Sequence, residues 1–184
     1  MAMRRSFMCV TAVLLCSVGV AMAQGAFSIQ APIAVTSCGQ SPDAYTVSLL
    51  AKRQKLEHTS ENMLKADGLK AYKTLVVVMG GSAKGLGEAG IDEKGELARV
   101  GQLLTKARES GVKVVAVHVG GESRRGPLSD KFIDPVVAKA DYLLVTEDGN
   151  KDGYFTKAAK ARNVPLQVVK QVGEVGPALK ALVK

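Results

Sequence analysis

Cys38 and His118 are the residues whose types come closest to a nucleophile with its base. Cys38 follows an apolar run, Ile33 to Thr36, and precedes a helix start at Ser41-Pro42, where a thiolate would be stabilised. His118 closes another apolar run, Val112 to Val119, and a parallel sheet would bring both residues to one edge. Together they suggest a hydrolase or transferase. The stretch Cys38-Gly39-Gln40-Ser41-Pro42-Asp43-Ala44 lacks the arginine of a phosphatase Cys-x5-Arg loop, which excludes that chemistry. The bland reading is a small loop cysteine and a partly buried histidine at a strand end.

A second chemistry is anion binding. Four loops would gather at one sheet edge: 37–41, 80–90, 120–130 and 147–153. They carry glycines, small hydroxyls and the cations Lys84, Arg124 and Arg125. Glycines let backbone N–H groups approach a ligand, helix N-termini add partial positive charge, and arginine forks match carboxylate or phosphate oxygens. The expected ligand set is Ser37, Cys38, Gly39, Gln40, Ser41, Gly81, Ser82, Lys84, Arg124 and Arg125. The alternative is that glycine pairs merely end strands and Arg124-Arg125 is a solvated turn.

Stricter motifs fit less well. Gly80 to Leu86 lacks the Lys-Ser/Thr pair of a P-loop. Gly85-Leu86-Gly87-Glu88-Ala89-Gly90 satisfies G-x-G-x-x-G, but it stands several residues past its strand, with no acidic residue closing the next one at the usual distance. Asp148-Gly149-Asn150-Lys151-Asp152-Gly153 matches the opening of a calcium loop, yet its twelfth position is Ala159 rather than glutamate. It reads better as a turn capping a helix at Tyr154. No cofactor or metal is expected.

The elements that must position these loops alternate along the chain. Leu75 to Met79 is an unbroken valine-rich run, as suits a strand buried on both faces. Ile33–Thr36, Leu56–Thr59, Val112–Val119, Tyr142–Thr146 and Leu166–Lys170 read as further strands. Helices are expected after Ser41, over Glu93–Ser110, Tyr154–Arg162 and Val175–Val183, with a break between Ser129 and a fresh start at Asp134-Pro135. This predicts a single α/β domain over 33–184: three layers, doubly wound, with a mainly parallel sheet of Rossmann-like or flavodoxin-like type.

Residues 1–23 read as a secretory signal peptide: Arg4 and Arg5, an apolar stretch, then Ala21-Met22-Ala23. Residues 24–32 form a leader, and the expected location is periplasmic or secreted, without membrane insertion after cleavage. Removal lowers the formal charge from +8 to +6 and takes Cys9 and Cys16, leaving Cys38 without an internal disulfide partner. Nucleic acid is excluded as a partner, since basic residues are not clustered with aromatics and aromatic content is 4%.

The segments IAVTSCGQSPD, LVVVMGGSAKGLGEAGID, HVGGESRRGPLSD and ADYLLVTEDGNKDGYFT resemble a family of exported bacterial α/β proteins classed as a domain of unknown function. The resemblance implies export and a small α/β domain, and transfers no catalytic role. The leading expectation is therefore an exported domain binding a small anionic molecule, a carboxylate or phosphorylated metabolite. The Cys38–His118 enzyme and a ligand-free accessory protein of a transporter or envelope complex are the alternatives.

Overall fold

Six apolar strands hydrogen-bond side by side into one sheet, all parallel, in a computed structural model that describes residues 27–184. The signal-peptide reading of 1–23 lies outside those residues. The strands are β1 (Ile33–Cys38), β2 (His58–Ser60), β3 (Thr74–Met79), β4 (Lys113–His118), β5 (Tyr142–Thr146) and β6 (Leu166–Val169). Their order across the sheet is β2-β1-β3-β4-β5-β6, the doubly wound order of flavodoxin-like folds. The chain steps outward from β1 to β2, then returns to place β3 on the other side of β1. The strand order reverses between β1 and β3.

The helices are α1 (Asp43–Arg53), α2 (Ala83–Glu88), α3 (Glu93–Glu109), α4 (Pro127–Val137), α5 (Tyr154–Arg162) and α6 (Val175–Leu182). Strand alternation divides their partners. Leu75, Val77 and Met79 of β3 point into a core with Leu103 of α3, Phe132 of α4 and Phe155 of α5. Val76 and Val78 point to the opposite face, against Val47 of α1 and Leu179 of α6. A strand buried on both faces is why the central run contains no polar alternation. Ile29 of the leader joins this second core, and its N–H donates to Leu182 O at 2.8 Å.

Several expected boundaries move, each for a local reason. β1 continues to Cys38, because Ser37 and Cys38 pair with Val78 and Met79; both are therefore strand residues rather than loop residues. The half-in residue of α1 is Pro42, whose carbonyl accepts from Tyr45 and Thr46, while Ser41 Oγ accepts the Asp43 N–H at 3.3 Å. The expected loop 80–90 contains α2, capped by Ser82 Oγ, which accepts from Gly85 N. The expected break before Asp134 is absent. α4 runs from Pro127 through Pro135 to Val137, so the helix continues past a residue that cannot donate to the carbonyl of Lys131.

Leu103 is fully buried between α3 and the sheet. Leu103→Ala is expected to lower unfolding free energy by about 2–5 kcal/mol in urea denaturation. Tyr45→Ser, at a 71% exposed position, should change it by less than about 0.5 kcal/mol.

Candidate functional site

The turn after β1 is bent by two residues with positive φ, Gly39 at +97° and Gln40 at +57°. A methyl group at Gly39 would lie 2.5 Å from Gly80 O, so the two strand ends meet where only glycine fits. Gly80 N donates to Cys38 O and Ser82 N to Gly39 O, stitching the β1 and β3 turns together.

A buried ion pair on α3 holds this turn. Glu96 Oε1 accepts from Gly39 N at 2.9 Å and from Gln40 Nε2 at 3.0 Å. Arg99 grips both oxygens of Glu96, through Nε and Nη2, at 2.8 Å each. Its Nη2 also donates to Ser37 O at 2.6 Å and its Nη1 to Leu64 O at 2.8 Å. Neither residue is among the expected site residues. The spacing Glu96, Arg99, Val100, Leu103 puts both on the inward stripe of α3, which is the signal that reveals them.

Beside this turn, in the crevice between β1 and β3, lies a cleft of roughly 510 Å³. Its walls include Gln40, Ser41, Asn62, Ser82, Lys84 and Arg124. Open α/β sheets take ligands at such a reversal point, outside the carboxyl ends of the strands. Lys84 is 87% exposed and sits 3.6 Å from Glu88, a loose surface pair. Arg124, 32% exposed, gives Nη1 to Gly81 O at 3.2 Å and holds Nε 4.0 Å from Asp43 Oδ2.

Several other expected ligand groups are occupied internally. Ser37 is not one of these: it is fully buried on β1, its Oγ without a hydrogen-bond partner and sealed from solvent. The Gly39 N–H is taken by Glu96, and the Gln40 amide by Asn62 O and Glu96. Gly81 N donates to Ser129 Oγ, and Ser82 Oγ caps α2. Arg125 is a structural clasp. It donates to Asp130, to both oxygens of Asp152 and to Gly149 O, and its guanidinium lies 4.9 Å from the Tyr154 ring centroid and 5.2 Å from that of Phe155. It ties the β4 turn to the β5 turn and faces away from the cleft.

Cys38 and His118 are not joined. With β3 between β1 and β4, they stand about two strand spacings apart, roughly 10 Å. Cys38 Sγ donates to Phe132 O at 3.3 Å. Burial, then the negative charge of Glu96, pushes the thiol far up, while Arg99 opposes them. A protonated thiol in an apolar core offers no nucleophile. His118 is fully buried, with Nδ1 3.1 Å from Met79 O and Nε2 3.2 Å from Gly121 O. Burial holds its pKa below the ordinary 6.5, against these carbonyls and Asp43, which favour the charged ring; Arg125 adds to the lowering.

The loop 148–153 acts as a helix-capping turn. Asn150 Oδ1 accepts from Phe155 N and Asp152 Oδ1 from Tyr154 N, while Asp148 pairs with Lys151. The G-x-G-x-x-G glycines begin inside α2 rather than at a strand-to-helix turn. Among the described residues, no group of three or more His, Cys, Asp or Glu is arranged to hold a metal ion.

A second hollow, roughly 310 Å³, opens at the opposite edge among Arg108, Lys113, Lys139 and Arg162. One of its cations, Arg162, has a structural role. Arg162 Nη1 donates to Val137 O and Ala140 O at the end of α4, where cations complement the helix dipole. Asp141 there accepts from Val114 N.

Residues 30–183 match the model of the family described as "Domain of unknown function (DUF6305)", and the chain belongs to that family. No curated protein and no solved structure matches it.

Two outcomes follow from this geometry. Arg99→Met strands the Glu96 carboxylate and two carbonyls, and should cost about 3–5 kcal/mol in urea denaturation; a cost under about 1 kcal/mol would deny the clamp its role. The unfolded chain takes up a proton near pH 6.5 that native His118 resists. Stability should therefore fall as pH drops below about 6.5, and the difference in melting-temperature slope between wild type and His118→Gln over pH 7.5 to 5 isolates that contribution.

Proposed function

We propose that this chain is an exported binding domain for a small anionic ligand, a carboxylate or phosphorylated compound, seated in the cleft between β1 and β3. The observation that carries this reading is the coincidence of the cleft with the strand-order reversal, with Lys84 and Arg124 on its wall. Lys84 supplies a mobile point charge, and Arg124 a planar donor anchored at one end on Gly81 O. Export rests on the charged, apolar and small-x-small pattern of residues 1–23.

Turnover by Cys38 and His118 is less well supported, because each side chain is tied to a different carbonyl and the thiol is held protonated. Docking on a transporter or envelope complex remains the reading to which an anion-blind protein would return.

A thermal-shift titration of the mature protein with carboxylates and phosphates tests the proposal, since a ligand specific for the folded state raises the melting temperature with concentration. Arg124→Ala should weaken the responding anion roughly 10- to 100-fold, the worth of a charge-assisted hydrogen bond. Arg125→Ala should lower the melting temperature of the unliganded protein while leaving the anion's affinity within a few-fold. Absence of a shift with every anion, or equal loss in both variants, would count against the cleft.

A further inference from the structure

Charge is distributed unequally between the two edges of the sheet. At the cleft edge, basic side chains are matched by acids: Lys131 by Glu93, Lys151 by Glu122 and Asp148, Arg125 by Asp130 and Asp152. At the opposite edge, where strands begin and returning helices end, such matching is rare. α1 ends on Lys52 and Arg53, α3 on Lys106 and Arg108, and α5 on Lys160 and Arg162. Of these only Lys106 has an ion-pair partner among the described residues, Glu109 at 3.7 Å.

Helix ends alone do not account for this edge. A cation at a helix C-terminus complements the macrodipole, which favours basic residues there in any fold. Lys73 and Lys113 instead stand at the starts of β3 and β4, and a sheet carries little net dipole. The Lys113 N–H donates to Lys73 O at 3.1 Å, so the two positions are adjacent. Lys139, just past α4, extends the row and lines the second hollow with Arg108, Lys113 and Arg162. Lys73, Lys113 and Lys139 are exposed and make no ion pair among the described residues. Glu57, Glu109 and Asp141 interrupt the series, but Glu109 holds Lys106 and Asp141 accepts from Val114 N. The cations span the width of the six-stranded sheet, roughly 24 Å, which exceeds any single small anion.

We infer that this basic edge is a docking surface for an anionic phospholipid bilayer, which it meets at the headgroups without insertion. Its composition favours a bilayer over an acidic protein. Protein interfaces centre on aromatic and apolar anchors and are depleted in lysine. Here lysine predominates, and the exposed large apolar side chains Tyr45, Leu49 and Val168 stand at no helix end or strand start of this edge. A charged bilayer requires only exposed cations within about a Debye length of its surface. Docked in this way, the domain turns the cleft between β1 and β3 away from the lipid, because the cleft lies at the other end of the same strands. The inference stands whatever ligand the cleft takes.

Sedimentation of the protein with vesicles tests this, comparing phosphatidylcholine alone with an equal mixture of phosphatidylcholine and phosphatidylglycerol. At low salt the mixture is expected to bind at least about tenfold more tightly, and salt at about 0.5 M should abolish the difference. Lys113→Glu/Lys139→Glu and Lys52→Glu/Arg53→Glu, at separate parts of the edge, should each weaken binding by about tenfold or more. Lys131→Glu/Lys151→Glu makes the same change in net charge at the cleft edge and should leave binding within about twofold. Equal loss in all three variants would reduce the effect to net charge and overturn the inference. Loss confined to one of the two basic-edge variants would leave a local anion pocket rather than a surface, and also overturn it. So would equal binding to both vesicle types, which a contact through the apolar residues 7–20 would give, or binding to neither. Retention on immobilised poly-L-glutamate without vesicle binding would overturn it in favour of an acidic polypeptide partner.

Discussion

The buried pair of Glu96 and Arg99 is the interaction on which the candidate site depends. A helix face that should be wholly apolar gives up two positions to charges, and desolvating them is expensive. That cost is offset because every oxygen and nearly every N–H of the pair is used: on the β1 turn, on the carbonyls of Ser37 and Leu64, and between the two residues themselves. The pair converts a flexible glycine turn into a fixed one. Gly39 and Gln40 hold positive φ, and the β1 and β3 ends are brought close enough to share two hydrogen bonds. The cleft edge is thereby set by α3, an element that contributes nothing to the cleft wall.

Closed charges and open charges divide along the same line. Arg125 is boxed by two aspartates, a carbonyl and two aromatic rings, so its positive charge serves to join the β4 and β5 turns. Arg124, its neighbour in sequence, turns the other way, with one anchor and a distant acid. A group whose valences are filled by the protein holds shape; a group left partly unfilled in a polar cleft is where recognition has somewhere to act.

Much of the fold is legible in the sequence because burial writes itself in runs. Leu75–Met79 needs no alternation when both faces are covered, and Leu97, Val100 and Leu103 mark α3 by spacing alone. The site is legible in outline only. Glycine pairs after strands locate the edge, since backbones must approach there. The direction of a side chain is another matter: adjacent arginines at 124 and 125 look alike in sequence and differ only in what tertiary contacts surround them. Ser37 and Cys38 were expected in a loop and lie in a strand, because pairing with Val78 and Met79 outlasts the apolar run that signalled β1.

The most direct measurement is a map of backbone amide chemical shifts during titration of the isotope-labelled protein with an anion that stabilises it. Binding between β1 and β3 predicts perturbations concentrated at Gln40, Ser41, Ser82 to Gly85 and Arg124, saturating together with one dissociation constant. Perturbations concentrated at Arg108, Lys113 and Lys139, at the opposite edge of the sheet, would contradict the account and move the site to the other hollow.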